Sequence, residues 1–166
     1  MSTLLSKYQS PDHQGNTQRI TPESAGWGYV GFEVYQLEVG QSLTMSASDN
    51  EVCLVLVGGK ATVTTDTACF ENIGDRMGPF ERKKPYAIYV AKGEAYTVVA
   101  NTPLELAVCL APGKGNYPTR LIRPEDIDAE SRGVGNNRRY VHNILPDYKE
   151  ADSLLVVEVY TDEGCT

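Results

Sequence analysis

Short apolar runs separated by turn residues fill most of the chain between residues 27 and 111. In order they are WGYVGFEVYQLE, QSLTMSA, EVCLVLV, KATVTT, CFENI, YAIYVA, AYTVVAN and LELAVCLA. Each is rich in Val, Tyr, Thr and Leu and bounded by Gly, Asp, Asn or Pro, the signature of strands and their turns. Val57-Gly58-Gly59-Lys60 reads as a hairpin, because glycine accepts positive φ without steric cost. The fold class that follows is all-β, an antiparallel sandwich or barrel. Within EVCLVLV, Glu51, Cys53, Val55 and Val57 face one way, and Val52, Leu54 and Leu56 the other. Both faces are mostly apolar. One face should fill a barrel, and the other should meet a second sheet, a partner domain or another subunit.

The ends of the chain break this pattern. Residues 1–20 are polar, carry Pro11, Gly15 and Asn16, and show no helical stripe, so they read as an extended arm. Residues 21–112 hold the barrel. Residues 113–150 are polar and rich in Gly and Pro, and read as a long connection of the kind that carries function or joins domains. Pro124 suits the first position of a short helical turn in PEDI. Gly133-Val134-Gly135-Asn136-Asn137 reads as a turn or as a loop lining a site. Residues 151–166 carry one more strong strand signal, DSLLVVEVYT. It opens a second barrel or closes the first, and left as an open edge it invites association.

Charge narrows the partners. The 166 residues carry a net charge of −7, which argues against a nucleic-acid partner, since phosphate binding needs clustered Lys and Arg. The strongest local basic cluster is Arg138-Arg139 with Arg132 nearby, so an uncharged or anionic small molecule fits better. No run reaches the ~20 apolar residues of a membrane helix. MSTLLSKYQSPDHQG lacks the apolar core of a secretion signal. Cys53, Cys69, Cys109 and Cys165 form no CxxC pair, which argues against a zinc knuckle. Cys53 and Cys109 sit in apolar runs as buried free thiols, and a reducing cytoplasm is the expected location.

The spacing around residues 40–58 and 91–100 resembles the two metal motifs of cupin barrels. Counting from Gly40, the first motif's histidine positions hold Ser46 and Ser48. Its glutamate falls at Glu51, one residue early, and Gly58 closes the motif. In the second, Ala91-Lys92-Gly93 takes the turn, Tyr96 the histidine position and Ala100 the asparagine position. The turns survive and the ligands do not. A divalent site needs about four converging N/O donors. Ser and Tyr hydroxyls are poor donors at neutral pH, so this barrel is expected to be metal-free. The resemblance therefore implies a degenerate cupin-type antiparallel barrel, or jelly roll. Glu51 reads as a solvated or hydrogen-bonded residue at a strand start, with a functional role as the competing reading.

The histidines offer little more. His13 lies in the arm. If residues 139–145 form a strand, Arg139, Val141 and Asn143 share one face and His142 takes the other. His142 reads as structural, its ring N–H held by a backbone carbonyl. Against that, Arg139 or His142 reaches an anionic substrate in a neighbouring barrel.

Five segments then carry a closer resemblance: TPESAGWGYVGFEV (21–34), EVCLVLVGGKA (51–61), LAVCLAPGKG (106–115), GNNRRYVHNILP (135–146) and DSLLVVEVYT (152–161). Together and in this order they resemble the amino-terminal part of the 5-deoxy-glucuronate isomerases of bacterial myo-inositol catabolism. That family has two cupins and interconverts 5-deoxy-glucuronate and 2-deoxy-5-keto-gluconate. A related pectin-pathway isomerase of 4-deoxy-5-hexosulose-uronate shares the architecture. A metal polarising a carbonyl and a base shuttling a proton suit an aldose–ketose exchange. The resemblance implies that the divalent metal sits in the second cupin, downstream of VVEVYT. No position here matches a ligand of that metal, so neither a metal nor another cofactor is expected in this chain. Arg139, His142 and Asn143 match the family's RxVHN segment and stand as contributors near the domain junction. The leading expectation is the amino-terminal half of a sugar-acid isomerase, truncated and inactive alone. A homo-oligomer or an interdomain packing partner is expected to cover its apolar surface. The competing readings are a metal-free sugar-acid-binding module and an isomerase of the pectin type.

Overall fold

The computed structural model describes residues 5–165. The chain is an antiparallel β-structure in three layers. A six-stranded sheet runs β1 (Asn16–Ile20), β2 (Gly31–Leu37), β9 (Leu104–Pro112), β4 (Asn50–Gly58), β7 (Ala87–Val90), β10 (Arg120–Ile122). A four-stranded sheet runs β3 (Ser42–Met45), β8 (Tyr96–Ala100), β5 (Ala61–Thr65), β6 (Cys69–Ile73). These two enclose the barrel core, which includes Tyr35, Leu43, Leu54, Leu56, Ile88 and Val98. The third layer is β11 (Asp128–Arg132), β12 (Arg139–Leu145) and β13 (Val156–Thr161). This is the cupin-type barrel, with an added sheet on its outside.

The strand β4 shows why the layers stack. Its even positions Val52, Leu54 and Leu56 lie in the barrel core. Its odd positions Cys53 and Val55 lie in a second core with Tyr89, Ile122, Ile144 and Val156. The second sheet, made by this chain itself, is what covers the other apolar face. Each large apolar side chain buried this way is worth about 1.5–3 kcal/mol.

The double glycine after β4 serves two different needs. Gly59 has φ +102°, and a Cβ there would lie 2.2 Å from the Pro103 carbonyl oxygen. Gly58 has no unusual φ, but a Cβ on it would meet the Met77 carbonyl oxygen at 2.6 Å. The loop before β7 therefore presses directly on this turn.

Three strands lie where the apolar pattern predicts none. The end of the polar arm, Asn16–Ile20, is β1 and pairs with β2. Within the long connection, β10 joins the barrel sheet through β7, and β11 pairs with β12. All five side chains of β11 are exposed, so it has no buried face to leave a periodic mark. Single 3₁₀ turns occupy Pro124–Asp126 and Gly135–Asn137. The strand β13 pairs with β12 and lies outside both barrel sheets.

Candidate functional site

The histidine-equivalent positions of the two motifs sit at one end of the barrel, while Gly40, Gly58 and Ala100 lie at the other. Ser46 and Ser48 follow β3 in an exposed loop. The Gly93 N–H donates to the Ser48 carbonyl at 3.0 Å, which ties the two motif loops together. Tyr96 and Ala100 point into the barrel core. Glu51 does not. A shift of one residue along a strand reverses the face, and the early position of Glu51 turns its carboxylate out of the barrel toward the third layer. The donors at these positions, two exposed hydroxyls and a buried phenol, do not fit a divalent metal. Among the described residues no cluster of three or more His, Cys, Asp or Glu side chains forms one elsewhere.

Glu51 is fully buried, which removes the solvated reading and leaves the hydrogen-bonded one. Its carboxylate accepts the Tyr89 hydroxyl at 2.6 Å and the backbone N–H groups of Asp152, Ser153 and Leu154 at 2.8, 2.5 and 2.6 Å. Burial, then Glu51, raise the Tyr89 hydroxyl well above its ordinary value. Asp152 replies by accepting the Gly115 N–H at 2.7 Å and the Asn116 amide at 2.8 Å. The chain leading into β13 is thereby clamped to the start of β4, about a hundred residues away. Four donors on one buried carboxylate satisfy it as charge-assisted bonds.

His142 belongs to a second buried cluster. Its Nδ1 lies 3.0 Å from Glu158, its cross-strand neighbour on β13. Glu158 also takes both terminal nitrogens of Arg76, at 2.9 and 2.6 Å. Arg76 donates further to the Tyr160 hydroxyl at 2.9 Å and to the Lys83 carbonyl at 2.6 Å. The rings of His142 and Tyr160 meet edge to face at 5.3 Å. The expected backbone carbonyl partner of His142 is thus replaced by a carboxylate, because strand pairing sets Glu158 directly opposite. Burial works to raise the Glu158 carboxyl, and bonds from Arg76, Tyr160 and His142 overcome it and hold it below the usual range. Burial lowers the Arg76 guanidinium, and Glu158 more than restores it. Burial and Glu158 push the Tyr160 hydroxyl up to about 12.

Asn143 and Arg139 lie on the opposite face of β12 from His142. The Asn143 amide donates to Glu130 at 2.9 Å, and Arg132 bonds the same carboxylate. These residues border an open hollow of about 400 Å³ that also includes Tyr148, Leu155 and Val157. Arg139 is exposed, stands opposite Arg132 in the pairing, and bonds no side chain among the described residues. The structure therefore does not gather Arg139, His142 and Asn143 into one site.

A third polar group lies inside the barrel, at its open end. Glu33 is 8% exposed, ion-paired with Arg19 at 3.0 Å and bonded by the Tyr35 hydroxyl. Arg76, Glu158, Glu33 and Tyr35 all escaped the sequence reading. Glu158 left a trace, as a lone charge inside the apolar run LLVVEVY. Arg76, in a polar turn, left none.

A jelly-roll barrel of this topology, with both motif loops at one end, makes this a cupin-type protein. The family model described as KduI/IolB matches residues 4–166, and the chain belongs to that family. It is 57% identical over 164 residues to the 5-deoxy-glucuronate isomerase of Geobacillus thermodenitrificans, covering 99% of this chain and 60% of that protein. It is 42% identical over 168 residues to the protein of that name in Bacillus subtilis strain 168, covering 99% and 62%. An IolB-like crystal structure from Salmonella typhimurium superposes with TM-score 0.91 at 50% identity, covering 96% of this chain and 62% of that one. Ylba from E. coli shares the fold, with TM-score 0.57 at 12% identity, covering 87% and 55%. The chain spans about 60% of the length of the curated relatives it matches. Among the described residues no helix is long and apolar enough to cross a membrane.

Proposed function

We propose that this chain forms the amino-terminal barrel and adjoining sheet of a sugar-acid aldose–ketose isomerase. Its reaction converts 5-deoxy-D-glucuronate to 2-deoxy-5-keto-D-gluconate in cytoplasmic inositol catabolism. The observation that carries this is 57% identity across 99% of the chain to a relative bearing the isomerase's name. In such a reaction a proton leaves the carbon beside the aldehyde and returns to the former aldehyde carbon, while a hydroxyl proton crosses between the two oxygens. No atoms are gained or lost.

The role of these residues is support. The barrel is filled by side chains from both sheets, so its middle holds no substrate. Glu51 and Arg76 use their bonding capacity to dock the third layer. The donors present do not fit a divalent metal. The metal expected of the family belongs outside the described residues in this reading. Of the three RxVHN positions, His142 and Asn143 are occupied by internal partners. Arg139 keeps a free guanidinium for the carboxylate of a sugar acid.

The test is a chimera that joins this chain to the remaining part of the Geobacillus relative. The expected result is turnover of 5-deoxy-glucuronate in preference to the pectin-pathway substrate. This chain alone is expected to show neither turnover nor stoichiometric Mn, Fe, Zn or Ni. Metal and turnover from the chain alone would overturn the supporting role. Saturable sugar-acid binding with an inactive chimera would favour a binding module.

A further inference from the structure

The open end of the barrel is a built cavity that neither the clamp nor the third layer uses. Its volume is about 430 Å³, within the roughly 300–1,000 Å³ of small-molecule sites. The floor comes from barrel-facing positions: Gly31 and Glu33 on β2, Asn50 on β4, Leu110 and Pro112 on β9. The segment from Ile20 to Tyr29, which carries the short helix α1 (Pro22–Ala25), forms the side wall.

The polar groups of this cavity have a distinct character. Glu33 is buried, and its charge is matched by Arg19 at 3.0 Å. With the Tyr35 hydroxyl also on it, the carboxylate is a fixed acceptor with lone pairs to spare. The Asn50 side chain bonds nothing among the described residues, so one amide donor pair and one carbonyl are free. Tyr29 is 63% exposed at the rim and presents an aromatic ring. Deeper in the barrel lies Tyr96, 4% exposed, whose hydroxyl has no hydrogen-bond partner among the described residues. Burial first, then Tyr35 and Glu33, raise that hydroxyl above its ordinary value. A fixed carboxylate, a free amide and an aromatic ring at the rim point to a ligand rich in hydroxyls.

Charge selects among such ligands. Among the described residues none of those lining the cavity is a cation; Arg19, which reaches Glu33 from outside the lining, is committed to it, and the other ionisable lining residue is Glu23. An anionic sugar acid meets no free positive charge here. A cation meets a carboxylate that is already neutralised. We propose that the barrel mouth binds a neutral polyhydroxylated molecule, a monosaccharide or polyol, held by the Glu33 carboxylate and the Asn50 amide against the Tyr29 ring. This site is separate from any handling of an anionic sugar acid, and the proposal does not rest on the isomerase reading.

The experiment is an NMR titration of the ¹⁵N-labelled chain with D-glucose, D-xylose and sorbitol. D-glucuronate and putrescine serve as charged contrasts. The expected result is saturable shifts at the amides of Gly31, Glu33, Asn50 and Leu110 for at least one neutral probe, with Kd on the order of millimolar. Asn50→Ala and Tyr29→Ala, both at positions outside the fully buried core, are expected to weaken binding about tenfold while leaving the amide spectrum folded. Glu33→Gln is the third variant, and the first two carry the test if it unfolds. Absence of saturable shifts up to about 100 mM overturns the proposal. So does tighter binding of D-glucuronate or putrescine, or shifts confined to β11–β13. Failure of the isomerase reading shows in turnover of the chimera and leaves these shifts untouched.

Discussion

Glu51 occupies a position from which cupin chemistry is expected, yet it acts as a fastener. Removing its carboxylate orphans three backbone N–H groups and one buried hydroxyl. Each buried unsatisfied group costs about 1–3 kcal/mol. Glu51→Ala is therefore expected to destabilise the chain by roughly 3–5 kcal/mol after relaxation, read as a fall in the urea midpoint. Amide exchange at 152–154 should accelerate in the same variant. Arg76 makes the complementary case. Arg76→Met leaves the half-buried Glu158 without its guanidinium partner and is expected to cost about 2–4 kcal/mol. The double variant Arg76→Met, Glu158→Leu is expected to recover most of that, because no stranded charge remains. Recovery of none of it in the double variant would show that the cluster's worth lies in packing instead.

At the scale of elements, the pairing of β12 with β13 carries a pH dependence. The Glu158 carboxyl is held below its ordinary value of 4.5 in the folded chain. The unfolded chain thus binds its proton first as pH falls, so stability rises with pH through this range. The contribution is full above about pH 4.5 and is lost as pH drops through the folded value. Glu158→Gln is expected to flatten the acid limb of a stability–pH curve from chemical denaturation, with the neutral limb merely displaced. The turns supply a second contrast. Gly59 and Gly40 both have positive φ, but a Cβ at Gly59 strikes the Pro103 carbonyl while one at Gly40 meets open space. Gly59→Ala is expected to cost clearly more than Gly40→Ala, whose penalty is the αL conformation alone, about 1–2 kcal/mol. Equal midpoints for the two would remove the close approach from the account.

Across the whole molecule, the centre of the six-stranded sheet is covered on both faces, and its cysteines report that. Cys53 and Cys109 stand opposite each other on β4 and β9, facing the third layer. Burial pushes the Cys109 thiol up to about 11 and the Cys53 thiol well above its ordinary value. Thiolate is the reactive form. Cys69, exposed on the edge strand β6, is expected to react with a thiol reagent within minutes at pH 8, and Cys53 only after denaturant is added. Fast labelling of Cys53 in the native chain would mean that the third layer detaches readily. The free face of that layer carries Leu155, Val157 and Val159, exposed by 59%, 39% and 48%. Among the described residues nothing packs on that apolar face.

The strand runs from EVCLVLV to LELAVCLA were legible in the sequence because alternation and turn residues are local properties. The two-faced character of β4 was legible too, and so was the loss of metal donors at Ser46, Ser48 and Tyr96. The family was readable from motif order. What covers the outer face of β4 was not, since Ile144, Leu145, Leu154 and Val156, which pack against it, lie far along the chain and only sheet order brings them there. Nor was the role of Glu51, which depends on backbone N–H groups a hundred residues further on. The Arg76–Glu158–His142 cluster and the Arg19–Glu33–Tyr35 group join residues far apart in the chain, and such pairings are fixed only by strand register and sheet order. Sequence set which residues are apolar, turning or ionisable. Tertiary structure alone decided which ionisable groups meet, and therefore which are fasteners and which remain free to bind.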